Sequence, residues 1–312
     1  MQNMLLRKAI DQDRDAIVAL LLSSLGNTSS TKSIANWTWK HEHNPFGKSE
    51  VLLSAGNDSL SGIRAMMPWV WQAGQQLFQT YRAVDTATHP DFEGKGIFKK
   101  LTQNMVGHLQ SVGSDFIFNT PNSQSLPGYL KMGWQEWGRI KVSIIPYFLF
   151  RYLSTNTSNQ GIGIDETEIL CNQWNEMQAR TGRLFTPKSP AYLRWRYLDN
   201  PVIEYHYHAD QDFFIAAYIK RHKQFVELRI SELICVQNNH KIKSRLLGFL
   251  KTISKDTKVH FITLSEVSCR NLRLPGLTLP VGPKLTIRKL SDQTVIPALL
   301  QWSPALGDLE LF

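Results

Sequence analysis

The chemistry-bearing residues of this chain concentrate between Val84 and Trp134. The segment opens Val84-Asp85-Thr86-Ala87-Thr88-His89-Pro90 and continues Asp91-Phe92-Glu93-Gly94-Lys95-Gly96-Ile97-Phe98-Lys99-Lys100. It closes Asn122-Ser123-Gln124-Ser125-Leu126-Pro127-Gly128-Tyr129-Leu130-Lys131-Met132-Gly133-Trp134. A β-rich run enters a glycine-punctuated turn, and the turn opens a helix. That arrangement aims backbone N–H groups from Gly94 to Lys99 at one point, which holds a phosphate with little need for side-chain charge. Asp85 and His89 are titratable groups before the turn, and Tyr129 is one after it. Taken alone, Gly-Lys-Gly is weak, because glycines at a strand-to-helix turn are often only structural. Asn122 and Ser125 fit helix capping as well as ligand contact, and Tyr129 fits core packing as well as chemistry.

The elements that must position these residues follow from periodicity. Met4 to Ile10 reads as a strand, and Asp11 or Asp13 caps a helix with Ile17, Leu20, Leu21 and Leu25 as its apolar stripe and Gly26 as its stop. A second helical piece surrounds Ile34, Trp37 and Trp39 and ends at Asn44-Pro45. Strand signals run from Val51 to Ala55 and from Leu60 to Trp71, turn at Ala73-Gly74, and return through Leu77 to Ala83 and on to Thr88. After the glycine turn, Phe98, Leu101, Met105 and Leu109 recur at helical spacing until Gly113. Asp115 to Thr120 is a short strand, and 140–147 reads as the last strand of this half.

The second half echoes the first. Trp39-Lys40-His41-Glu42-His43-Asn44-Pro45 is matched by Trp195-Arg196-Tyr197-Leu198-Asp199-Asn200-Pro201. Gly133 precedes Lys141-Val142-Ser143-Ile144 by eight positions, and Gly276 precedes Lys284-Leu285-Thr286-Ile287 by the same eight. The second copy is shorter and has no Gly-x-Gly turn leading into a helix. A tandem repeat follows, with domains at 1–153 and 162–312 and a polar, uncharged linker at 154–161. Only the first copy keeps the phosphate-binding turn.

Composition bounds the function. The chain has 312 residues, 42% of them hydrophobic, which suits one large or two ordinary domains with real cores. A net charge of +9 favours an anionic ligand. Nucleic acid is disfavoured, since there is no arginine-rich run and no zinc-finger or RNA-recognition signature. Cys171, Cys235 and Cys269 are far apart and form no CxxC pair, which points to a reducing cytosol and a cytoplasmic protein. The N-terminus lacks the apolar core of a signal peptide. The most apolar stretch, 142–153, is shorter than the ~20 residues of a membrane helix. His41-Glu42-His43 and His206-Tyr207-His208 lack the i, i+4 spacing of a zinc site, so no metal is expected. Trp37, Trp39, Trp69 and Trp71 are expected in the core rather than in an acceptor pocket, and Arg64 either grips an anionic acceptor or faces solvent.

Together, the β-rich run, the glycine turn, the amphipathic helix and the Asn122…Tyr129…Gly133 element resemble the GNAT superfamily of acyl-CoA N-acyltransferases, in particular bacterial tandem-GNAT acetyltransferases. The resemblance covers roughly residues 4 to 147, and the second half resembles the degenerate second domain of such proteins. It implies an α/β (α+β) fold of two GNAT-like domains, each a mixed, mostly antiparallel central sheet flanked by helices. It implies acetyl-CoA as co-substrate and acyl transfer to the primary amine of a small acceptor, such as an amino sugar or sugar nucleotide. The alternatives are a non-catalytic acyl-CoA-binding regulatory module and an aminoacyl-tRNA-dependent transferase of the peptidoglycan-bridge type.

Residue by residue, the resemblance assigns the pyrophosphate to the turn Glu93, Gly94, Lys95, Gly96, Ile97, Phe98 and Lys99. It assigns the pantetheine arm to the strand Thr86, Ala87 and Thr88, splayed from its neighbour by a β-bulge, and to Asn122 and Ser125. Tyr129, four before Gly133, matches the tyrosine that protonates the departing thiolate. The thiol titrates near ~8.5 and a phenol near ~10, so the transfer is chemically reasonable. The backbone N–H of Thr88 would polarise the thioester carbonyl. Asp85 and His89, and the C-terminal carboxylate of Phe312, are the groups considered for taking the ammonium proton. Asp91 and Glu93 stand where the family commonly has glutamine or arginine, and arginine.

Overall fold

The computed structural model describes residues 5–26, 32–56, 59–151 and 161–310. The expected linker therefore lies outside the described residues as far as 160, and so does Phe312.

The two tryptophans of the sequence repeat meet face to face. Trp39 and Trp195 stack with ring centroids 5.2 Å apart. Each indole N–H donates to the other's backbone carbonyl, Trp39 to Trp195 at 2.6 Å and Trp195 to Trp39 at 2.8 Å. A reciprocal contact of this kind is what an approximate two-fold axis between two copies produces. The repeat read from sequence is thus a structural one.

The first copy runs β1 (Leu5–Lys8), α1 (Arg14–Leu25), α2 (Ile34–His41), β2 (Glu50–Ala55), β3 (Leu60–Ala73), β4 (Gln76–Thr88), α3 (Ile97–Ser111), β5 (Phe116–Asn119), α4 (Leu126–Lys131), β6 (Gln135–Arg139), β7 (Val142–Pro146) and α5 (Tyr147–Arg151). The second runs α6 (Glu168–Arg180), α7 (Pro190–Leu193), β8 (His206–Ala209), β9 (Phe213–Arg221), β10 (Val226–Cys235), α8 (His240–Ser254), β11 (Phe261–Ser265), α9 (Glu266–Asn271), β12 (Leu277–Leu279), β13 (Lys284–Lys289) and α10 (Leu306–Leu309). Local signals set many boundaries. Ser33 accepts from the Asn36 amide to start α2, and Gly74, at φ +58°, makes the β3–β4 turn.

Two mixed, mostly antiparallel sheets result, flanked by helices as the sequence suggested. The seven-stranded sheet has the order β1-β2-β3-β4-β5-β13-β6, and the six-stranded one β12-β7-β11-β10-β9-β8. The copies exchange a strand. β13, from the end of the chain, inserts antiparallel between β5 and β6, with Thr286 opposite Asn119 and Lys284 opposite Arg139. β7 inserts between β12 and β11, with Ile144 opposite Thr263 and Leu277. The strand expected to close the first half therefore belongs to the other sheet. These are the two segments whose spacing from Gly133 and Gly276 repeats in the sequence.

Pairing repeats as well. β4 runs parallel to β5 from Thr80 opposite Phe116 to Arg82 opposite Phe118, and β10 runs parallel to β11 from Glu227 opposite Phe261 to Arg229 opposite Thr263. Just beyond, each strand bulges against its antiparallel neighbour, leaving Asp85 unmatched in β4 and Ser231 in β10.

The core crosses between the sheets. Trp69 lies edge-on to Phe118, Tyr192 and Trp195 at 6.3, 6.0 and 6.2 Å between centroids. Trp37, Trp39, Trp69 and Trp71 are all buried, as expected. Buried ions lie at the same junction: Lys188 Nζ sits 2.7 Å from Glu232 and 2.8 Å from Asp308, each side chain about 1% exposed. Arg82 and Arg196 donate to backbone carbonyls of residues 307–310, and Arg229 pairs with the Glu310 carboxylate at 3.0 Å. Residues 307–310 are thereby held from both sheets.

Removing either indole N–H strands a buried carbonyl. Trp39→Phe and Trp195→Phe are each expected to cost about 1–3 kcal/mol in denaturant unfolding, and the two losses should be similar because the contacts are symmetric.

Candidate active site

Beyond Arg82 and Phe118, β4 and β5 have no further pairing among the described residues, so Ala83 to Thr88 swings away from Asn119. The bulge at Asp85 marks this divergence. It opens a cleft of about 1090 Å³, large enough for an extended cofactor-sized ligand.

One wall of the cleft is the glycine turn. Gly94 and Gly96 have φ of +73° and +74°, the left-handed region that side chains with a Cβ disfavour. The amides from Gly94 to Lys99 donate to no acceptor among the described residues. Lys100 is the first to bond within the helix, to the Gly96 carbonyl at 3.0 Å. These amides and the start of a 15-residue helix converge on the cleft. α3 is held close by Gly62 on β3, where an added Cβ would lie 2.5 Å from Ile97 Cγ2 and 3.2 Å from Leu101 Cδ1. Only glycine lets the helix start come this near the sheet.

Most residues singled out from the sequence line this one cleft: Asp85, Thr86, Ala87, Thr88, Glu93, Gly94, Gly96, Ile97, Phe98, Lys99, Asn122, Ser125 and Tyr129. Two do not. Lys95 turns back, its ammonium donating to the Asp91 carbonyl at 2.9 Å and lying 4.5 Å from the Phe92 ring centroid. His89 Nδ1 accepts from the Asp91 amide at 3.3 Å, capping the short turn Pro90–Phe92. Asn122 caps α4's entry, accepting from the Ser125 amide and hydroxyl, both at 2.9 Å, while it also faces the cleft.

Tyr129 is buried, its ring edge-on to Phe98 at 5.6 Å and to Trp134 at 5.2 Å. Its oxygen accepts from Arg64 Nη1 at 2.8 Å. Arg64, expected to grip an acceptor or face solvent, does neither: it is fully buried on β3.

Asp85 sits among groups that sequence reading did not connect to it. Its carboxylate lies 2.9 Å from Lys40 Nζ, 2.8 Å from His41 Nε2 and 3.9 Å from Lys32 Nζ. Burial by itself would push the carboxyl up. The Lys40 charge and the His41 hydrogen bond outweigh that and hold it well below the usual carboxylate range. For His41 burial prevails: it lowers the pKa despite Asp85. A neutral ring with Nε2–H donating to Asp85 and Nδ1 accepting from the Ser49 hydroxyl, 2.9 Å away, satisfies every partner. Lys32 and Lys40 both line the cleft. The available signal for Lys40 was the repeat, where a basic residue follows the core tryptophan in both copies. Lys40 and Arg196 are 4% and 3% exposed, so both are interior cations.

Among the described residues no group of three His, Cys, Asp or Glu converges as metal ligands would, and no helix is long and apolar enough to cross a membrane.

The matching region of the second copy differs. A pocket of about 370 Å³ lies between Glu232–Cys235 of β10, Ser265 and α9, but α8 begins on Asn239, whose side chain accepts from the Ile242 amide. A side-chain cap there takes up a helix-start donor that the glycine turn of the first copy leaves open.

Residues 6–137 match the family model described as the acetyltransferase (GNAT) domain. Solved structures share the fold along nearly the whole chain. A GCN5-related N-acetyltransferase from Anabaena variabilis superposes with a TM-score of 0.69 at 15% identity, covering 93% of this chain and 73% of that one. A probable N-acyltransferase from Enterococcus faecalis gives 0.69 at 12% identity over 93% and 73%. A GCN5-related N-acetyltransferase from Kribbella flavida gives 0.66 at 12% over 92% and 71%. No curated protein matches in sequence.

The Asp85 cluster makes an acid-sensitive prediction. Both Asp85 and His41 titrate lower in the fold than unfolded, so the unfolded chain binds more protons and stability must fall with pH. Their contribution is complete above about pH 6.5 and is lost first through His41 and then, below about pH 4, through Asp85. Asp85→Asn should cost about 3–5 kcal/mol at neutral pH, because it leaves Lys40 buried without its carboxylate, and should flatten the acid limb of a stability-against-pH curve from urea unfolding.

Proposed function

We propose that the protein transfers an acetyl or short acyl group from acyl-CoA to the primary amine of a small acceptor, a reading supported by the match of residues 6–137 to the acetyltransferase (GNAT) domain. The observation that carries this reading is a single cleft lined by open turn amides, a strand splayed at a bulge, and a buried phenol. The donor, when bound, supplies an activated thioester. The chain's own residues do the rest. Amides from Gly94 to Lys99 hold the pyrophosphate, with Lys99 rather than Lys95 as the nearby cation. The polar edge of β4 from Thr86 to Thr88 aligns the extended arm. Glu93 lines the same wall, so the turn relies on backbone donors more than on side-chain charge.

Fixing donor and amine side by side removes much of the entropic barrier. Tyr129 gives its proton to the departing sulfur. Asp85, kept ionised by Lys40 and His41, orients the attacking amine by accepting a hydrogen bond, and its depressed pKa makes water the final proton acceptor. An amino sugar, free or as a sugar nucleotide, is the acceptor class proposed here; Lys32 and Lys40 at the cleft and the +9 net charge favour one that also carries phosphate.

Acetyl-CoA at a hundred times its Kd is expected to stabilise the protein by about 2.7 kcal/mol in a thermal-shift assay. Thiol release should then follow on a panel of amino sugars and their phosphates. Tyr129→Phe should lower kcat roughly 10²- to 10⁴-fold with little change in acetyl-CoA affinity. Stabilisation without turnover on any amine would leave a binding module instead. Stabilisation by tRNA alone would point to aminoacyl transfer.

A further inference from the structure

Arg64 is a cation where an apolar side chain would pack more cheaply. It has no exposed surface, and among the described residues no carboxylate pairs with it. Its Nη1 donates to the Tyr129 oxygen at 2.8 Å, its Nη2 reaches only Met66 Sδ at 3.8 Å, and its Nε has no partner among the described residues. The guanidinium lies 5.3 Å from the Tyr129 ring centroid and 5.9 Å from that of Phe98. Burying such a group costs several kcal/mol unless something offsets it, and two ring faces and one neutral oxygen are modest compensation.

We propose that Arg64 is a positioning residue that makes Tyr129 the proton donor of the transfer, an inference that rests on the reading of Tyr129 given above. Arginine has five donors and no acceptor. The phenol oxygen therefore accepts from it, and the phenolic hydrogen must point elsewhere. Rings of Phe98 and Trp134 flank Tyr129, and no described residue accepts from its hydroxyl. The open direction is the cleft that Tyr129 lines.

The proton step balances simply. The C–S bond breaks with its electron pair going to sulfur, the O–H bond of Tyr129 breaks, an S–H bond forms, and water later reprotonates the phenolate. As the oxygen becomes negative, the Arg64 hydrogen bond turns from ion–neutral to ion–ion and strengthens. That gain exists only once the proton has moved, so it favours the transition state over the ground state. The placement is coupled to the cleft, because Arg64 pairs in register with Thr86, the last regular match before the Asp85 bulge.

The test compares Arg64→Met, Arg64→Lys, Tyr129→Phe and the double variant Arg64→Met/Tyr129→Phe in the thiol-release assay with acetyl-CoA and the amino-sugar panel. Arg64→Met is expected to lower kcat about tenfold to a hundredfold with acetyl-CoA affinity unchanged. Arg64→Lys should recover part of the loss, and Arg64→Met should add little in the Tyr129→Phe background. A wild-type kcat in folded Arg64→Met, or an equal further loss in the Tyr129→Phe background, would overturn the inference while leaving Tyr129 as donor. No effect of Tyr129→Phe would overturn both. If Arg64→Met does not fold, Arg64→Gln carries the same comparison, since it keeps a donor toward the phenol but not the charge.

Discussion

The exchange of β7 and β13 between the two sheets is the constraint on which the rest of this structure depends. β5 and β6 do not pair with each other in the first sheet; β13, a strand from the second half of the sequence, lies between them. The reciprocal Trp39–Trp195 bonds lie on the axis that relates the copies, and the ions holding residues 307–310 gather at the same junction. Neither sheet is complete without the other's sequence. The pair is therefore a single cooperative unit in a stronger sense than two domains in contact.

Within that frame, small backbone irregularities make the site. One extra residue, Asp85, bends β4 away from β5, and one missing side chain, at Gly62, lets the start of α3 approach the opening. Both copies keep the bulge, but only the first combines it with left-handed glycines and open amides. In the second copy Asn239 caps the matching helix and the Ser231 hydroxyl donates to Glu310 at 3.0 Å. The same architecture thus opens a cleft in one half and holds residues 307–310 in the other.

Features written in consecutive residues were legible in the sequence. The glycine turn, the stripe of α3, the Ala73-Gly74 hairpin and the paired tryptophan motifs all depend on local spacing, and the structure realises each. Features that depend on side-chain direction or distant pairing were not. Lys95 was expected at the phosphate beside Lys99, but its long side chain finds the Asp91 carbonyl instead. His89 lies next to the turn in sequence and serves as its cap. The partners of Asp85 stand more than forty residues upstream on α2, and Arg64 reaches a phenol 65 positions away. The repeat of Lys141–Ile144 in Lys284–Ile287 was visible, but nothing in either segment says which sheet it joins, because a strand buried on both faces looks alike in either place.

The exchanged strand also sets the order of events during synthesis. A nascent chain emerges from its N-terminus, and most domains fold as soon as their own residues are free. Here the sheet that carries the cleft lacks β13 until Lys289 has left the ribosome. The open edges of β5 and β6 must wait in the meantime, and unpaired edges invite wrong partners. A protein wired in this way cannot complete the sheet around its cleft until the segment that forms β13, far along the second half of the sequence, has been made.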